Sequence, residues 1–383
     1  MCGWVLCALF GLAWPFGALA ATAAATVESV SPCFVAPPED LASVFKHDCG
    51  YVVVPEDASA PDGRKVKLIF LRLQARTAKQ AGPLFMLAGG PGSSLIEPAV
   101  FSLFNQRLLG SLLESRDIVV LDQRGAGHSW PDLACPELDS LPWQAYSQRL
   151  SEEASDALGR QTPERCIRKL RQQGIDLSKY NSIAIAADID AARAALGYDK
   201  IVYYGASYGS QLGQHAMREF PGMLEAAILD GTNSLSRKSW IEDRALEADY
   251  ALDHLTPLCQ SDPKDRETYD IPALIERGLA IFDAGPIAIA YEDPKQPGTT
   301  LKRDVRQSDF VSLVYELQTS KYGAAALPLV LTSLVKEGRT SMSGDMGKIL
   351  GPKLLTARDA TPGAMATLAH IAVVCSDDPA RSV

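Results

Sequence analysis

Short apolar runs alternate with amphipathic segments between residues 83 and 230. Residues 83–88, 117–122 and 201–204 are apolar at their central positions, which is typical of strands in a parallel sheet whose two faces are both covered. Residues 182–196 instead repeat apolar side chains at helical spacing, as an amphipathic helix does. We therefore predict an α/β fold, in which a mostly parallel sheet has helices on both faces.

Three further strands are predicted, at residues 51–55, 65–73 and 224–230. In the helix at 182–196, Ser182 is the predicted N-cap. Gly197 is the predicted terminating glycine.

The pattern changes at about residue 233, where clean strands give way to helical, loop-rich segments. We predict a core at residues 25–232 and a mainly helical cap, residues 233–365, inserted over the carboxyl edge of the sheet. Residues 366–383 would then begin the return to the core, with residues 370–375 as a strand.

Residues 1–24 are apolar and carry no charged side chain. They end in small residues, and Ala18-Leu19-Ala20 is a plausible cleavage site, so we predict a signal peptide and a secreted or periplasmic protein. The amino-terminal end lacks Lys and Arg, which leaves an uncleaved anchor as the alternative. Pro15 and Gly17 interrupt the run, which is short for a membrane span.

Six cysteines follow the predicted signal peptide. An even number in an exported chain favours disulfides over reactive thiols. Sequence does not fix their pairing, and buried free thiols are the alternative. We predict nearest-neighbour pairs, namely Cys33–Cys49, Cys135–Cys166 and Cys259–Cys375.

The composition of the chain further restricts the classes of function that we expect. The chain is 47% hydrophobic and 22% charged, which indicates a folded globular protein. Its net charge of -9, without a cluster of Lys or Arg, disfavours binding to nucleic acid. It contains neither a phosphate-binding glycine loop nor a Cys-x-x-Cys metal motif, so we expect no cofactor and no metal.

The strand at 201–204 runs into Gly205-Ala206-Ser207-Tyr208-Gly209 and then into a helix. This strand–turn–helix context predicts a nucleophile elbow, which presents the Ser207 hydroxyl at the carboxyl edge of the sheet. Glycine is expected at 205 and 209 because a side chain there would collide where the backbones pass closely.

A serine nucleophile also needs donors for the oxyanion that develops on the substrate. The Tyr208 amide, directly after the serine, is the first predicted donor. The second comes from the loop after the strand at 83–88, where we choose the Gly90 amide and keep Gly92 as the alternative.

Three motifs in this order resemble the proline iminopeptidase and tripeptidyl aminopeptidase family of α/β-hydrolases. The motifs are Gly89-Gly90-Pro91-Gly92, Asp122-Gln123-Arg124-Gly125-Ala126-Gly127-His128-Ser129 and the elbow, with Leu229-Asp230-Gly231 and Cys375-Ser376-Asp377 after them. The resemblance spans roughly residues 45–380 and is thin in the cap.

The resemblance implies an α/β-hydrolase that releases residues from the free N-terminus of short peptides, through an acyl-enzyme on Ser207. It implies the Gly90 and Tyr208 amides as the oxyanion hole. Asp122 and Arg124 match the family's Asp-Gln-Arg-Gly loop, and we interpret them as structural, an Asx-type turn and an ion pair.

The chain departs from the family in its triad. The acid and the histidine should follow the serine, on the loops of two further strand–helix units, but eight residues follow Cys375. His215, His254 and His370 follow Ser207 in contexts that do not fit a base. We therefore expect no triad acid or base in this chain, missing carboxyl-terminal strands and an incomplete or inactive enzyme.

Two other functions stay open at this stage. A non-catalytic remnant could bind peptides, and a carboxylesterase or lipase could use the same elbow and cap. The expected partner is a short peptide substrate, without nucleic acid and without a membrane once the signal is cleaved. Oligomeric state, peptide length and residue preference are not determined by the sequence.

Overall fold

The computed structural model describes residues 25–77, 81–101, 104–148, 150–237, 239, 242–259, 269–293, 296, 298–336, 338–359 and 365–377. The predicted signal peptide, residues 1–24, lies outside these ranges. Within them, no helix combines the length and the apolar character needed to cross a membrane.

Nine strands form two sheets in the described part of the chain. Seven of them make one sheet in the order β1-β2-β3-β5-β4-β6-β7, and the last two make a separate hairpin. The strands are β1 (Thr26–Val30), β2 (His47–Pro55), β3 (Lys65–Leu73), β4 (Leu84–Leu87), β5 (Ile118–Leu121), β6 (Ile201–Ala206), β7 (Leu224–Asp230), β8 (Ile287–Glu292) and β9 (Thr300–Val305).

The large sheet has an antiparallel half and a parallel half. β1, β2, β3 and β5 pair antiparallel, whereas β5, β4, β6 and β7 pair parallel. In the parallel half, Leu87 of β4 is opposite Gly205 of β6. Ala206 at the end of β6 is opposite Asp230 of β7. The carboxyl ends of these strands therefore meet at one edge, as the sequence predicts for the elbow.

Fourteen α-helices lie within the described residues, and three short 3₁₀ turns accompany them at Leu177–Lys179, Pro221–Met223 and Ile281–Ala284. The helices are α1 (Glu39–Ala42), α2 (Pro98–Phe101), α3 (Gln106–Leu113), α4 (Pro136–Asp139), α5 (Leu141–Ser147), α6 (Glu152–Gln172), α7 (Ser182–Ala195), α8 (Tyr208–Glu219), α9 (Glu242–Cys259), α10 (Ile271–Ala280), α11 (Gln307–Gln318), α12 (Lys321–Lys336), α13 (Arg339–Asp359) and α14 (Thr367–Asp377).

Each face of the sheet has its own apolar core. Because successive strand residues point to opposite faces, Phe85 and Leu87 join one core and Leu84 and Met86 join the other. The first core includes residues of α7, α8 and α14, and the second includes residues of α1 and α3. All four β4 residues are buried for this reason, which confirms the α/β prediction of helices on both faces.

β7 forms an edge of the sheet. Among the described strands it pairs with β6 alone, and no strand of that part of the chain covers its other edge. Glu225, Ala226 and Ile228 are exposed, and Ile228 keeps 49% of its accessible surface. An exposed edge strand with an apolar side chain is a surface on which further polypeptide can pair.

The segment after β7 contains a third apolar cluster. It lies among α10, α11, α12, α13 and the β8–β9 hairpin, and it includes Ile271, Phe310, Leu327 and Met346. The mainly helical character matches the prediction, but the antiparallel hairpin was not expected there. The domain boundaries at residues 232 and 365 stay predictions.

Two local predictions were wrong. Residues 370–375 lie in helix α14 and do not form a strand, although Ala372 and Val373 do pack in the core. Helix α7 begins at Ser182 as predicted, but its N-cap is Asn181 and not Ser182, because the Asn181 side chain accepts a hydrogen bond from the Ala184 amide. Ser182 is thus the first helical residue, and its hydroxyl is available for other contacts.

The cysteines follow the prediction in two of three cases. Cys33–Cys49 and Cys135–Cys166 are disulfides. Cys375 is a free, exposed thiol, so the predicted Cys259–Cys375 bridge is not formed. The side chain of Cys259 lies outside the described residues.

A buried ion pair ties the loop after β5 to helix α7. The Arg124 guanidinium donates to both carboxylate oxygens of Asp188, at 2.6 and 2.7 Å, and also to the backbone carbonyls of Glu56 and Lys179. Burial lowers the pKa of the Arg124 guanidinium, but Asp188, together with Tyr180 and Glu56, raises it by more, so the pKa lies above its ordinary value. The predicted structural ion pair of Arg124 is confirmed.

Asp122 has a different structural role from the predicted Asx-type turn. Its carboxylate accepts from the Ser94 hydroxyl and, at 3.0 Å, from the Leu95 amide, so it holds the segment after the Gly89–Gly92 loop. The side chain is buried, and this burial raises its pKa to about 7. The turn interpretation failed because the partners of Asp122 lie 27 and 28 residues away in sequence.

We predict that Asp188→Ala lowers the free energy of unfolding by about 3–5 kcal/mol, because it leaves the Arg124 charge buried and unpaired. Asp190→Ala is the matched control. It lies on the same helix in a more exposed pair with Arg193 and should cost about 0–1 kcal/mol. Urea unfolding followed by fluorescence measures both values, and equal losses would contradict the prediction.

Asp122→Asn tests the raised pKa. The native carboxyl keeps its proton up to about pH 7, whereas the unfolded chain releases it near the ordinary value of 3.8. Stability therefore falls as pH rises between these values, at up to about 1.4 kcal/mol per pH unit. The variant should lose this slope, and Asp132→Asn, an exposed carboxyl in the same loop, should retain it. Unfolding midpoints from pH 4 to 7.5 measure both, and identical slopes in all three proteins would rule the effect out.

Candidate functional site

Ser207 lies at the junction between β6 and α8, in a strained backbone conformation. Its φ is 51° and its ψ is -117°. No other non-glycine residue of the described chain has a positive φ. Such a conformation is costly for a residue with a Cβ and persists only where the surroundings enforce it. The Ser207 side chain is exposed at the carboxyl edge of the sheet.

The strain at Ser207 is enforced by close backbone packing. A Cβ at Gly205 would lie 2.2 Å from the Gly209 carbonyl oxygen, which no side chain tolerates. A Cβ at Gly209 would lie 3.0 Å from the Ala88 carbonyl oxygen at the end of β4. Glycine is therefore required at 205, and a side chain at 209 would have to displace the backbone at the end of β4 by a few tenths of an ångström.

Hydrogen bonds fix the turn on both sides of Ser207. Its amide donates to the Asp230 carbonyl at 2.7 Å, which ties the elbow to the end of β7. Its carbonyl accepts from the amide and hydroxyl of Ser210, at 2.9 and 2.5 Å. The Tyr203 hydroxyl donates to the Gly209 carbonyl at 2.6 Å. The backbone around Ser207 is therefore held independently of any ligand.

The loop that follows β4 lies directly against the elbow. A Cβ at Gly89 would be 2.8 Å from the Ala206 carbonyl oxygen and 3.0 Å from the Ser207 Cβ. Gly90 and Gly92 both have positive φ, at 67° and 82°, and the Ser93 amide donates to the Gly90 carbonyl at 3.0 Å. The structure thus brings the Gly90 loop, Ser207 and Tyr208 together.

Gln123 holds this loop, a role that the sequence analysis missed. Its side-chain carbonyl accepts from the Gly92 amide and its side-chain amide donates to the Ala88 carbonyl, both at 3.3 Å. The side chain is buried. Its position between Asp122 and Arg124, which both make buried contacts, is the signal that could have identified it.

The histidines of the chain are distributed over several elements. His128 stacks on Phe34 at 5.5 Å, and His254 is exposed and contacts the Tyr250 carbonyl at 2.8 Å. His47 is exposed at the start of β2. Within the described part of the chain, none of the five donates to or accepts from the Ser207 hydroxyl.

The remaining two histidines lie in helices of the core. His215 of α8 is buried and contacts Arg218 at 3.2 Å, and burial lowers the pKa of its ring. His370 lies in α14 beside the Gly90 loop. Burial lowers the pKa of His370, while the Pro91 carbonyl acts in the opposite direction. The Nδ1 atom of His370 is buried without a hydrogen-bond partner among the described residues.

Two other features of the described residues lie away from Ser207. A cavity of about 680 Å³ separates α5 and the start of α6 from the β8–β9 hairpin, and Ser207 does not line it. Cys135, Glu137 and Cys166 are close enough to share a metal ion, but the two sulfurs are bonded to each other and so offer no thiolate.

The chain is similar to known hydrolases over about half of its length. Residues 82–255 match the family described as alpha/beta hydrolase fold. Serine protease Hip1 of Mycobacterium tuberculosis is 36% identical over 193 residues, which is 48% of this chain and 35% of that protein. Tripeptidyl aminopeptidase of Streptomyces lividans is 30% identical over 217 residues, covering 54% of this chain and 39% of that protein.

A relative whose name is that of an esterase has a sequence identity similar to that of the two peptidases. Carboxylesterase B of Mycobacterium tuberculosis is 32% identical over 198 residues, which is 50% of this chain and 37% of that protein. The chain thus spans less than two fifths of the length of each of these relatives. This chain has the α/β-hydrolase fold, as shown by the match to that family and by its architecture. The architecture is the parallel half-sheet β5-β4-β6-β7 with helices on both faces.

Proposed function

We propose that Ser207 is the nucleophile of a serine hydrolase that releases residues from the free N-terminus of short peptides. The observation that carries this proposal is the exposed Ser207 at a φ of 51°, where no structural need for a serine is evident. Relatives named serine protease and tripeptidyl aminopeptidase support a peptide substrate.

The proposed reaction uses the Ser207 oxygen to attack the peptide carbonyl. The peptide C–N bond breaks, the amine leaves with the proton that the Ser207 hydroxyl gives up, and the acyl group stays on Ser207 as an ester. Water then hydrolyses this ester, which releases the acid and restores the Ser207 hydroxyl. The Gly90 and Tyr208 amides are the proposed donors to the oxyanion, because their segments flank Ser207. The Tyr208 amide lies at the start of α8, where the helix dipole favours negative charge.

The proposed reaction also needs a proton acceptor for the Ser207 hydroxyl. None of the five histidines is hydrogen-bonded to the Ser207 hydroxyl within the described residues, and a serine hydroxyl is a weak nucleophile without an adjacent base. We therefore expect slow chemistry from this chain alone. Efficient turnover would require an imidazole that reaches Ser207.

We also propose that the protein is exported. The support is the apolar segment at residues 1–24 and the two disulfides, which persist in oxidising compartments.

A fluorophosphonate probe tests the nucleophile. We expect slow labelling of the folded chain at Ser207, because an oxyanion hole retains ~10³–10⁴-fold acceleration over water without its base. Ser207→Ala should abolish the labelled peptide in mass spectra, and Ser147→Ala, an exposed serine on α5, should leave it unchanged. A folded sample that stays unlabelled, or labelling that survives Ser207→Ala, would refute the proposal.

Matched substrates test the requirement for a free N-terminus. A tripeptide anilide should be cleaved about 10-fold or more faster than its N-acetylated form, since a hydrogen bond to a charged group contributes about 1.5–3 kcal/mol. Chromogenic release measures both rates. Turnover of a short acyl ester with no cleavage of either anilide would instead favour an esterase, the function that the similarity to Carboxylesterase B supports.

Peptide binding without turnover is the second candidate function, and the lack of a described base at Ser207 favours it. It predicts saturable binding of the free tripeptide, measured by calorimetry, that Ser207→Ala leaves unchanged.

A further inference from the structure

Helix α14 is tied at its amino-terminal end to the Gly90 loop. The Ala366 amide donates to the Gly92 carbonyl at 2.9 Å, and Met365 forms an antiparallel bridge with Ser93. The contact is tight, since a Cβ at Gly92 would lie 2.5 Å from the Ala366 carbonyl oxygen. The position of this loop is therefore coupled to the start of α14.

The carboxyl-terminal end of α14 is tied to the elbow by a second set of contacts. The Asp377 carboxylate accepts from the Ser182 amide at 3.2 Å and from the Ser182 hydroxyl. The same hydroxyl oxygen is 2.7 Å from the Tyr208 hydroxyl. Ser182 and Tyr208 are both buried, at 0% and 1% exposure, so the contact between their hydroxyls is shielded from solvent, whereas Asp377 is half-buried.

The direction of the hydrogen bonds follows from the chemistry of the three groups. An ionised carboxylate can only accept, and a serine hydroxyl has one proton. Because Ser182 gives its proton to Asp377, its oxygen must accept from the Tyr208 hydroxyl. The series of hydrogen bonds therefore runs from the Tyr208 hydroxyl through the Ser182 hydroxyl to the Asp377 carboxylate. The Asp377 carboxyl, at the end of α14, contacts the amino-terminal end of α7; burial raises its pKa and the hydrogen bonds from Ser182 act in the opposite direction.

We propose that Asp377 and Ser182 are positioning residues for the oxyanion hole. Through the Tyr208 side chain they fix the residue whose amide is one donor, and α14 holds that residue in register with the Gly90 loop that supplies the other. This inference depends on the proposed role of Ser207, Tyr208 and Gly90. It assigns a function to the Cys375-Ser376-Asp377 motif, which lies outside the elbow.

Amide hydrogen exchange, read by mass spectrometry, tests the positioning without requiring Ser207 to react. In Asp377→Asn, Ser182→Ala and Tyr208→Phe we expect faster exchange in two peptides, 205–213 and 89–96. These contain the hydrogen-bonded amides of Ser207, Ser210 and Ser93. Ser376→Ala, an exposed neighbour of Asp377 on α14, is the matched control and should exchange like the parent.

A merely structural role gives a different result. Exchange would then rise only within α7 and α14, or uniformly, including residues 66–73 of β3, together with a lower melting temperature. Either outcome would overturn the proposal, as would unchanged exchange in both reporter peptides. Asp377→Asn keeps the shape of the side chain and an acceptor for the Ser182 amide, so it guards against simple failure to fold.

The labelling rate of Ser207 provides a second readout. In Asp377→Asn the rate constant for fluorophosphonate labelling should fall on the order of tenfold with unchanged probe affinity, less than the ~10²-fold that loss of an oxyanion donor costs. The double variant with Tyr208→Phe should lose no more than the larger single effect, because both cut one chain of contacts. If the two losses in labelling rate were additive, the proposed series of hydrogen bonds from Tyr208 to Asp377 would be contradicted. If the parent does not label at all, the proposed function fails, while hydrogen exchange still decides the positioning role.

Discussion

The close approach of three backbones at Gly205 is the constraint on which the candidate site depends. A Cβ at Gly205 of β6 would overlap the Gly209 carbonyl oxygen of α8, and Leu87 of β4 is paired with the same Gly205. With that space closed, the chain can leave β6 for α8 only through a sharp turn, and Ser207 takes the strained conformation. The exposure of its hydroxyl is a direct result of this packing and not of any contact that the hydroxyl makes.

Buried polar groups compensate for this strain by fixing the surrounding loops. Asp122 and Gln123 hold the segments on either side of the Gly90 loop, and Arg124 connects the same stretch of chain to α7 through Asp188. Three consecutive side chains thus restrain different parts of one edge of the sheet. Each is satisfied by several partners, which is what burial of polar groups requires.

Within the described residues, two segments that carry the proposed oxyanion donors lie beside Ser207, and no histidine is hydrogen-bonded to its hydroxyl. The Gly90 loop and Tyr208 flank Ser207, whereas four of the five histidines contact Phe34, Tyr250, Arg218 or the Pro91 carbonyl, and His47 is exposed at the start of β2. The exposed edge of β7 lies beside the same turn, since Asp230 at its end accepts from the Ser207 amide. The elbow therefore lies next to the edge strand of the described sheet.

The sequence by itself determined the elements whose signals are local. The apolar strands, the glycines around Ser207 and the order of the three motifs could all be predicted from adjacent residues. The two disulfides agree with the nearest-neighbour expectation, although the sequence did not fix their pairing. Residues 370–375 misled the prediction because a short apolar run fits a strand and a buried helix equally, and only packing against the core selects the helix. Ser182 misled it because Asn181 competes for the same cap. The tertiary structure alone decided the partners of Asp122, Gln123 and Asp377, since their hydrogen bonds join residues far apart in sequence and carry no periodic signal.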